Sequence, residues 1–284
     1  MNIEIAEGIG FCFGVKRAIR MAQEALEKNN ATQVYSLGHI IHNNQVVEEL
    51  LKEGLRPVQN LDGIDRGVVV ISSHGASPEI MQQIKAKGLE LVDATCPYVT
   101  SAQNIVKSLG KDGYSIVILG DSRHPEVKSL CGFADGRAAV IRDEGDVEKT
   151  ELPSKRIGVV SQTTQSPENY YRVICAICKK EFQEIRAYNT ICNDTHVRQQ
   201  AAAKLARNAD VMIIVGGRNS ANTKRLYEIC SGICADSYHI ETADELRKEW
   251  FGRKCHVGIT SGASTPEEII KSVKNFIHKE GGMK

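Results

Sequence analysis

Three sequence landmarks recur three times, in the same order, along this chain of 284 residues. The first is a cysteine between a strand-like run and a helix-like run. The second is an apolar strand that ends in a glycine 24 to 26 residues later. The cysteine and glycine of each repeat are Cys12 and Gly38, Cys96 and Gly120, and Cys192 and Gly216. A fixed order with near-constant spacing indicates an internal repeat, and no other feature restricts the fold as much.

The third landmark is an apolar strand, a turn rich in serine and threonine, and a Pro-Glu pair. It reads "VVISSHGASPEI", "GVVSQTTQSPEN" and "GITSGASTPEEI". A hydroxyl residue followed by proline and an acid is a typical start of a helix. Strands that alternate with helices favour parallel sheets with right-handed crossovers. We therefore predict an α/β fold of three small α/β/α units, residues 1–92, 93–188 and 189–284, with the strand at 2–9 a candidate to close the third.

Ligand-binding loops gather at the carboxyl ends of parallel strands, which is where all three landmarks lie. We expect the three units to surround a pseudo-threefold axis, with a central site formed by these loops. Each unit would then contribute one cysteine, and the three thiolates together could bind a soft metal centre. The adjacent helix N-termini favour the thiolate form of these cysteines. Zinc with three cysteines and a water is one solution. An iron–sulfur cubane with one open iron fits a roomy, threefold-symmetric cavity better than zinc does.

Composition and charge argue against several other functions. Hydrophobic residues make up 42% and charged residues 25% of the chain, and the formal net charge is +1. These values predict a soluble protein without a nucleic-acid or membrane partner. The apolar run "VMIIV" is too short to span a bilayer, and no signal-peptide pattern opens the sequence. We expect a cytoplasmic protein with reduced thiols.

The pair Cys175 and Cys178 in "CAIC" has the spacing of a redox or zinc motif. It lies within a helical pattern, whereas a redox pair usually opens a helix. We therefore predict that both thiols pack in the core. The remaining cysteines, which do not share the repeat position, are predicted to be structural: Cys131, Cys230, Cys234 and Cys255.

The loops of the repeats carry histidines, hydroxyls and amides, which together with helix N-termini can hold a phosphate or diphosphate. "GGRNSANTK" lacks the Gly-Lys-Ser/Thr ending of a Walker A loop, so nucleotide hydrolysis is not indicated. Glu126 is the lone acid of these loops and hence the natural proton donor. Its alternative interpretation is an ordinary first-turn helix acid after Pro125.

Eight segments in order resemble the signature of the 4-hydroxy-3-methylbut-2-enyl diphosphate reductase (LytB) family. They are "GFCFGVKRAI", "HNNQVVEEL", "SSHG", "DATCP", "GDSRHPEV", "SQTT", "GGRNSANT" and "TSGAS". The resemblance implies an oxidoreductase with one [4Fe–4S] cluster, three cysteine ligands and an open iron. Such an enzyme removes the allylic hydroxyl to give isopentenyl and dimethylallyl diphosphate, the last step of non-mevalonate isoprenoid synthesis. It also implies an electron donor such as ferredoxin or flavodoxin.

Matched motif by motif, the resemblance implies site residues at numbered positions of this chain. The implied cluster ligands are Cys12, Cys96 and Cys192, and the implied catalytic residues are Glu126, as acid, and Thr163, which binds the hydroxyl. The implied substrate-binding residues are His42, His74, His124, Thr164, Ser220, Asn222 and Ser264. The chain departs from the family at Ala221, where many members have a second serine, so one diphosphate contact is absent or made by backbone. Thr195, Arg198 and Gln199 match the family's Thr-x-x-Arg-Gln.

Two other interpretations stay open at this point. Quinolinate synthase also uses three small α/β/α units and a three-cysteine cluster, although its motifs differ from these eight segments. A non-enzymatic iron–sulfur sensor would need the cysteines but would have no reason to keep a polar, proton-donating cavity. A zinc hydrolase ranks after both.

Overall fold

The computed structural model describes residues 1–29, 31–252 and 256–281 of the chain. Strands and helices alternate along most of this length. The strands are β1 (Asn2–Ile5), β2 (Val34–Leu37), β3 (Arg56–Val58), β4 (Val68–Ile71), β5 (Glu90–Asp93), β6 (Ser115–Leu119), β7 (Ala138–Ile141), β8 (Arg156–Ser161), β9 (Glu184–Ala187), β10 (Val211–Val215), β11 (Ser237–Ile240) and β12 (His256–Ser261). The helices are α1 (Phe13–Lys28), α2 (Asn44–Lys52), α3 (Pro78–Ala86), α4 (Pro97–Lys111), α5 (Pro125–Phe133), α6 (Glu144–Lys149), α7 (Pro167–Ile177), α8 (Asn193–Ala206), α9 (Ala221–Ser231) and α10 (Glu267–Gly281).

The strands form three four-stranded sheets with one shared topology. Their orders are β3-β2-β4-β5, β7-β6-β8-β9 and β11-β10-β12-β1, and every pairing is parallel. In the third sheet the N-terminal strand β1 takes the place that β5 and β9 hold in the others, with Ile5 opposite Ile259. The predicted α/β class with three parallel-sheet units is thus confirmed, and the pseudo-threefold axis stays a prediction.

The chain folds into two compact units. The first unit combines Met1–Val15, His42–Val46 and Asn193–Lys284, and it contains the β11-β10-β12-β1 sheet. The second unit combines Lys16–Ile41 and Val47–Cys192, and it contains the other two sheets. The predicted division at 92/93 and 188/189 stays a prediction.

Most central strands are buried on both faces, as expected for parallel sheets covered by helices. All five residues of β6 and all five of β10 are buried. Helix α4 shows how the helices pack. Helical periodicity places four apolar residues on one of its faces, and this face is the buried one: Val99, Ala102, Val106 and Leu109. It approaches β8 closely at Gly158, where an added Cβ would lie 2.6 Å from the Cδ1 of Leu109. A side chain at position 158 would therefore push α4 off the sheet.

Helix α8 differs from the pattern that the sequence predicts. Helical periodicity places Val197 on one face with Ala201, Ala202 and Leu205, and this face should be buried. Val197 is nevertheless 40% exposed, whereas Ala202 and Leu205 are buried. The N-terminal half of this helix buries Thr195, Arg198 and Gln199 instead. These three lie at i, i+3 and i+4 and so share one helix face. Helix α8 therefore turns a polar face inward in the turns nearest Cys192.

Within the described residues, no helix combines the length and the apolar character needed to cross a membrane.

Candidate active site

The three repeat cysteines make the same backbone contact, and in each case both residues lie in the same one of the two compact units. The amide N–H of each donates to a carbonyl at the second residue after the third strand of the sheet. The bonds run from Cys12 to Ala263 (3.0 Å), from Cys96 to Ser73 (3.0 Å) and from Cys192 to Thr163 (2.9 Å). Each bond therefore joins the cysteine of one repeat to the serine- and threonine-rich turn of the repeat before it, with the third repeat preceding the first. Such a bond fixes each cysteine at the carboxyl end of its sheet.

Each cysteine also immediately precedes a helix, since α1 begins at Phe13, α4 at Pro97 and α8 at Asn193. All three are reduced, half-buried thiols. The Sγ of Cys12 accepts the amide N–H of Val15 at 3.4 Å. Burial raises the pKa of this thiol, and the Val15 amide acts in the opposite direction. Partly buried sulfurs at helix N-termini are suited to a soft metal centre, which stabilises their thiolate form.

Glu126 and Thr163, both in the second unit, form a buried pair. The Glu126 Oε1 accepts the Thr163 amide N–H at 2.6 Å, and its Oε2 accepts the Thr163 hydroxyl at 2.8 Å. Glu126 is only 2% exposed, and this desolvation raises its pKa to about 7 despite the two hydrogen bonds. A carboxyl with a pKa near neutrality is suited to proton transfer. Since Thr163 also accepts the Cys192 amide through its carbonyl, acid, hydroxyl and cysteine are connected in one path.

His124 caps the helix that carries Glu126. Its Nδ1 accepts the Glu126 amide N–H at 3.2 Å, so a neutral His124 ring carries its proton on Nε2. The His74 ring meets the His124 ring edge-on, with centroids 5.2 Å apart. The Nδ1 of His74 lies 3.4 Å from the Ser72 hydroxyl. The structure thus brings both predicted histidines of the second unit together beside the buried acid.

Local hydrogen bonds hold further predicted residues in both units. In the second unit, the Thr164 hydroxyl accepts from the Gln162 amide at 3.0 Å. In the first unit, Ser220 caps α9 by accepting the Thr223 amide N–H at 3.3 Å. The Ser264 hydroxyl donates to the His42 carbonyl at 3.0 Å, which joins these two predicted residues.

Asn222, in the first unit, is a buried polar residue whose side-chain amide lacks hydrogen-bond partners within the described residues. It is 4% exposed, and neither its Nδ2 nor its Oδ1 has a hydrogen-bond partner within the part of the chain that the structure describes. Buried amides without partners cost free energy and need an explanation. A bound polar group would supply one. The residue lies in the first turn of α9, beside amides that can bind an anion.

Sequence reasoning gave no role to Asp194 and Arg198, which the structure places together in the first unit. The Arg198 Nε donates to the Asp194 Oδ2 at 2.6 Å, and the Arg198 side chain is 3% exposed. The sequence did contain a pattern that could have indicated this site, because Thr195, Arg198 and Gln199 are spaced so that they share one helix face. Polar residues at that spacing are usually taken for a solvated surface, and here they form the buried one.

The prediction for "CAIC" is wrong. Cys175 and Cys178 are both exposed, and α7 ends at Ile177, so the pair lies at a helix C-terminus and not in mid-helix. The face of α7 toward the core carries Tyr170, Val173 and Ile177. Cys175 lies two residues from Val173, which is about 200° around the helix. Among the other cysteines, Cys230 and Cys234 are buried and Cys131 is half-buried, consistent with packing roles. Cys255 lies outside the described residues.

Comparison with known proteins gives a consistent result. A model of the LytB protein family matches residues 3–278. The 4-hydroxy-3-methylbut-2-enyl diphosphate reductase of Geobacter sulfurreducens is 47% identical over 287 residues, covering 99% of this chain and 100% of the relative. The Aquifex aeolicus protein of the same name is 44% identical, covering 98% of this chain and 96% of the relative.

Two solved structures are also similar. One, described as (E)-4-hydroxy-3-methyl-but-2-enyl diphosphate reductase, the terminal enzyme of the non-mevalonate pathway, is 44% identical. It superposes with a TM-score of 0.71 over 98% of this chain and 99% of that one. The other is the E-1-hydroxy-2-methyl-but-2-enyl-4-diphosphate reductase of Plasmodium falciparum. It is 29% identical, with a TM-score of 0.90 over 98% of this chain and 87% of that one.

Proposed function

The chain belongs to the LytB family, and from this premise we propose that it reduces 4-hydroxy-3-methylbut-2-enyl diphosphate to isopentenyl and dimethylallyl diphosphate. The allylic C–O bond breaks, the oxygen leaves as water, and two electrons and two protons are consumed. One proton goes to the leaving hydroxyl and the other to the allyl carbon skeleton. The observation that carries the proposal is the buried Glu126–Thr163 pair, because loss of a hydroxyl as water needs a proton donor.

LytB proteins depend on iron and sulfide. We propose one [4Fe–4S] cluster, held by Cys12, Cys96 and Cys192, with one iron open to substrate. The supporting observation is the donor set: three reduced, half-buried thiols, each directly before a helix and each with the same backbone bond. When bound, such a cluster supplies the two electrons singly and a Lewis-acidic iron.

Glu126 and Thr163 are proposed to move the proton that releases water. With a pKa of about 7, Glu126 is protonated in a large fraction of molecules at neutral pH. A protonated Glu126 donates to the Thr163 hydroxyl, which in turn donates to the substrate hydroxyl. The Thr163 amide N–H holds the other carboxyl oxygen at 2.6 Å, so the acid keeps its direction during the transfer. Since the pair is buried, water does not compete for the proton.

The diphosphate is proposed to be bound by His42, His74, His124, Thr164, Ser220, Asn222 and Ser264. Two features support this set. The neutral His124 ring has its N–H on Nε2, because Nδ1 is occupied by the Glu126 amide. The buried Asn222 amide lacks a partner within the described residues, and a phosphate oxygen would satisfy its Nδ2. Ala221 offers no hydroxyl, but it is the first residue of α9 and its backbone N–H faces the same helix end.

The reaction needs a donor of single electrons, for which we propose a reduced ferredoxin or flavodoxin in the cytoplasm. The chain itself acts on a small molecule. Binding energy from the diphosphate end would hold the reacting carbon in place while electrons and protons arrive.

The test is anaerobic reconstitution with iron and sulfide, followed by turnover of the allylic diphosphate with reduced methyl viologen. We expect about four irons and four sulfides per chain and formation of both diphosphate products. Cys96→Ser should lose the intact cluster and turnover, whereas Cys175→Ser, at an exposed cysteine, should keep both. Wild-type protein that binds zinc alone, or an iron-replete Cys96→Ser with full activity, would refute the assignment.

A further inference from the structure

Arg198 is a buried cation with an incomplete set of hydrogen bonds. Its side chain is 3% exposed on the inward face of α8. The Nε donates to the Asp194 Oδ2 one turn earlier, while Nη1 is buried and has no partner in the part of the chain that the structure describes. Burying a guanidinium costs several kcal/mol unless its donors are satisfied. An ion pair that only stabilised the fold would leave this N–H unexplained.

The Asp194–Arg198 pair lies within electrostatic range of Cys12, in the same unit. After burial and the Val15 hydrogen bond, the next influences on the pKa of the Cys12 thiol are the Asp194 carboxylate, which raises it, and the Arg198 guanidinium, which lowers it. The loop before Cys12 also runs against Arg198. A Cβ placed at Gly8 would lie 3.5 Å from the Arg198 Cγ, and Gly8 has φ +73°, so a side chain there would be strained as well.

The two charges act on the cysteine in opposite directions. With both present, the positive charge of Arg198 offsets the negative charge of Asp194. Removal of the guanidinium would leave a negative charge beside a centre that must accept electrons. Removal of the carboxylate would leave a positive charge there. The reduction potential of an iron–sulfur centre depends on such nearby charges and on hydrogen bonds to sulfur.

We propose that Arg198 is a positioning residue that tunes electron transfer at the Cys12 side of the site. It offsets the charge of Asp194 beside Cys12 and keeps a buried Nη1 donor for a group bound there, which makes one-electron reduction easier. The inference rests on the proposed function, because it needs a redox centre at Cys12. It differs from a purely structural role in one respect: substitution of the two partners must shift the potential in opposite directions.

The experiment measures the midpoint potential of the reconstituted holoenzyme by dye-mediated titration at pH 8, followed by electron paramagnetic resonance. Arg198→Gln should lower the equilibrium constant for one-electron reduction by about tenfold, and Asp194→Asn should raise it by a similar factor. The double variant should return close to wild type. Arg198→Lys should recover most of the loss, because it keeps the charge.

The matched control is the Arg225–Glu228 pair of α9, which lies in the same unit with Glu228 58% exposed. Arg225→Gln and Glu228→Gln should leave the potential unchanged. If Arg198→Gln fails to fold, the Asp194→Asn variant alone tests the inference. The Asp194 side chain is 38% exposed, so this substitution does not disturb the core. An unchanged potential in Asp194→Asn, or shifts of the same sign in both variants, overturns the inference while the proposed function stands. Wild-type protein that takes up no cluster overturns both.

Discussion

Replacing Glu126 with glutamine should make the iron-free protein more stable at alkaline pH and leave it unchanged in mild acid. In the folded chain burial raises the pKa of Glu126 from 4.5 to about 7. Below about pH 4.5 the carboxyl is protonated in both folded and unfolded states, so burial carries no charge penalty. As pH rises toward 7 the unfolded chain releases the proton first, and the free energy of unfolding falls. Above pH 7 this stabilising contribution has been lost.

The magnitude follows from the size of the shift. A difference of about 2.5 pKa units, at about 1.36 kcal/mol per unit, corresponds to about 3 kcal/mol. A glutamine keeps the shape of the side chain and one acceptor for the Thr163 amide N–H, and the Thr163 hydroxyl can rotate to accept from its NH₂ group. The difference in stability between variant and wild type should therefore grow by up to about 3 kcal/mol between pH 4.5 and 8.

The assay is urea unfolding of iron-free wild type and Glu126→Gln under reductant at pH 5, 6, 7 and 8. The control is Glu79→Gln, which changes an acid in the same Pro-Glu helix start of α3. Glu79 is exposed, and its hydrogen bond with Ser77 lowers its pKa, so its replacement should give no alkaline gain. A stability difference for Glu126→Gln that is flat across these pH values would refute the reasoning. So would a carbon-13 titration that places the pKa of Glu126 near 4.5.

Three further changes test the site. Thr163→Val removes the hydroxyl but keeps the backbone N–H. The kcat should fall about 10²-fold, the usual scale for lost general-acid catalysis, while iron content stays unchanged. A normal kcat would exclude Thr163 from the proton path. Asn222→Ala should raise KM for the diphosphate by about tenfold, the scale of one lost hydrogen bond, with little change in melting temperature; an unaltered KM would remove Asn222 from the binding site. Replacing Cys175 and Cys178 together by serine should leave iron content and turnover intact and change stability by less than about 0.5 kcal/mol; a loss of iron would show that the exposed pair takes part in metal binding.

The internal repeat could be predicted from the sequence because its landmarks are local patterns at nearly even spacing. A cysteine before a helix, a strand ending in glycine and a hydroxyl-rich turn each follow from backbone geometry, and they recur at nearly constant separations. The structure adds an equivalent hydrogen bond between successive repeats, from the cysteine amide of one repeat to the turn that follows the third strand of the sheet, in the repeat before it. Such a contact joins residues about 20 to 250 positions apart, as the pairs Cys96–Ser73 and Cys12–Ala263 show. The order of the landmarks suggested that the cysteine and the turn lie close together, but it did not specify which atoms form the hydrogen bond.

The sequence named Glu126 as the candidate proton donor, but it did not reveal that this acid is buried with a raised pKa. The chain has four Pro-Glu pairs, at Glu79, Glu126, Glu168 and Glu267, and each stands at the start of a helix. All four look like ordinary first-turn acids. In the structure three are exposed and Glu126 alone among them is buried. What distinguishes it is the Thr163 backbone, which is contributed by a strand end 37 positions away. Tertiary burial therefore decides which acid has a pKa near neutrality.

Helix α8 shows why polar faces mislead sequence-based prediction. Hydrophobic periodicity assigns the inward face to apolar residues, so it predicts that Val197 lies inside. The first turns of α8 instead bury Thr195, Arg198 and Gln199, and this helix begins directly after Cys192. In parallel α/β folds the helix turns that directly follow a strand lie near the loops that usually bind ligands. Polar residues at helical spacing within two turns of a candidate ligand cysteine are thus candidates for the same site.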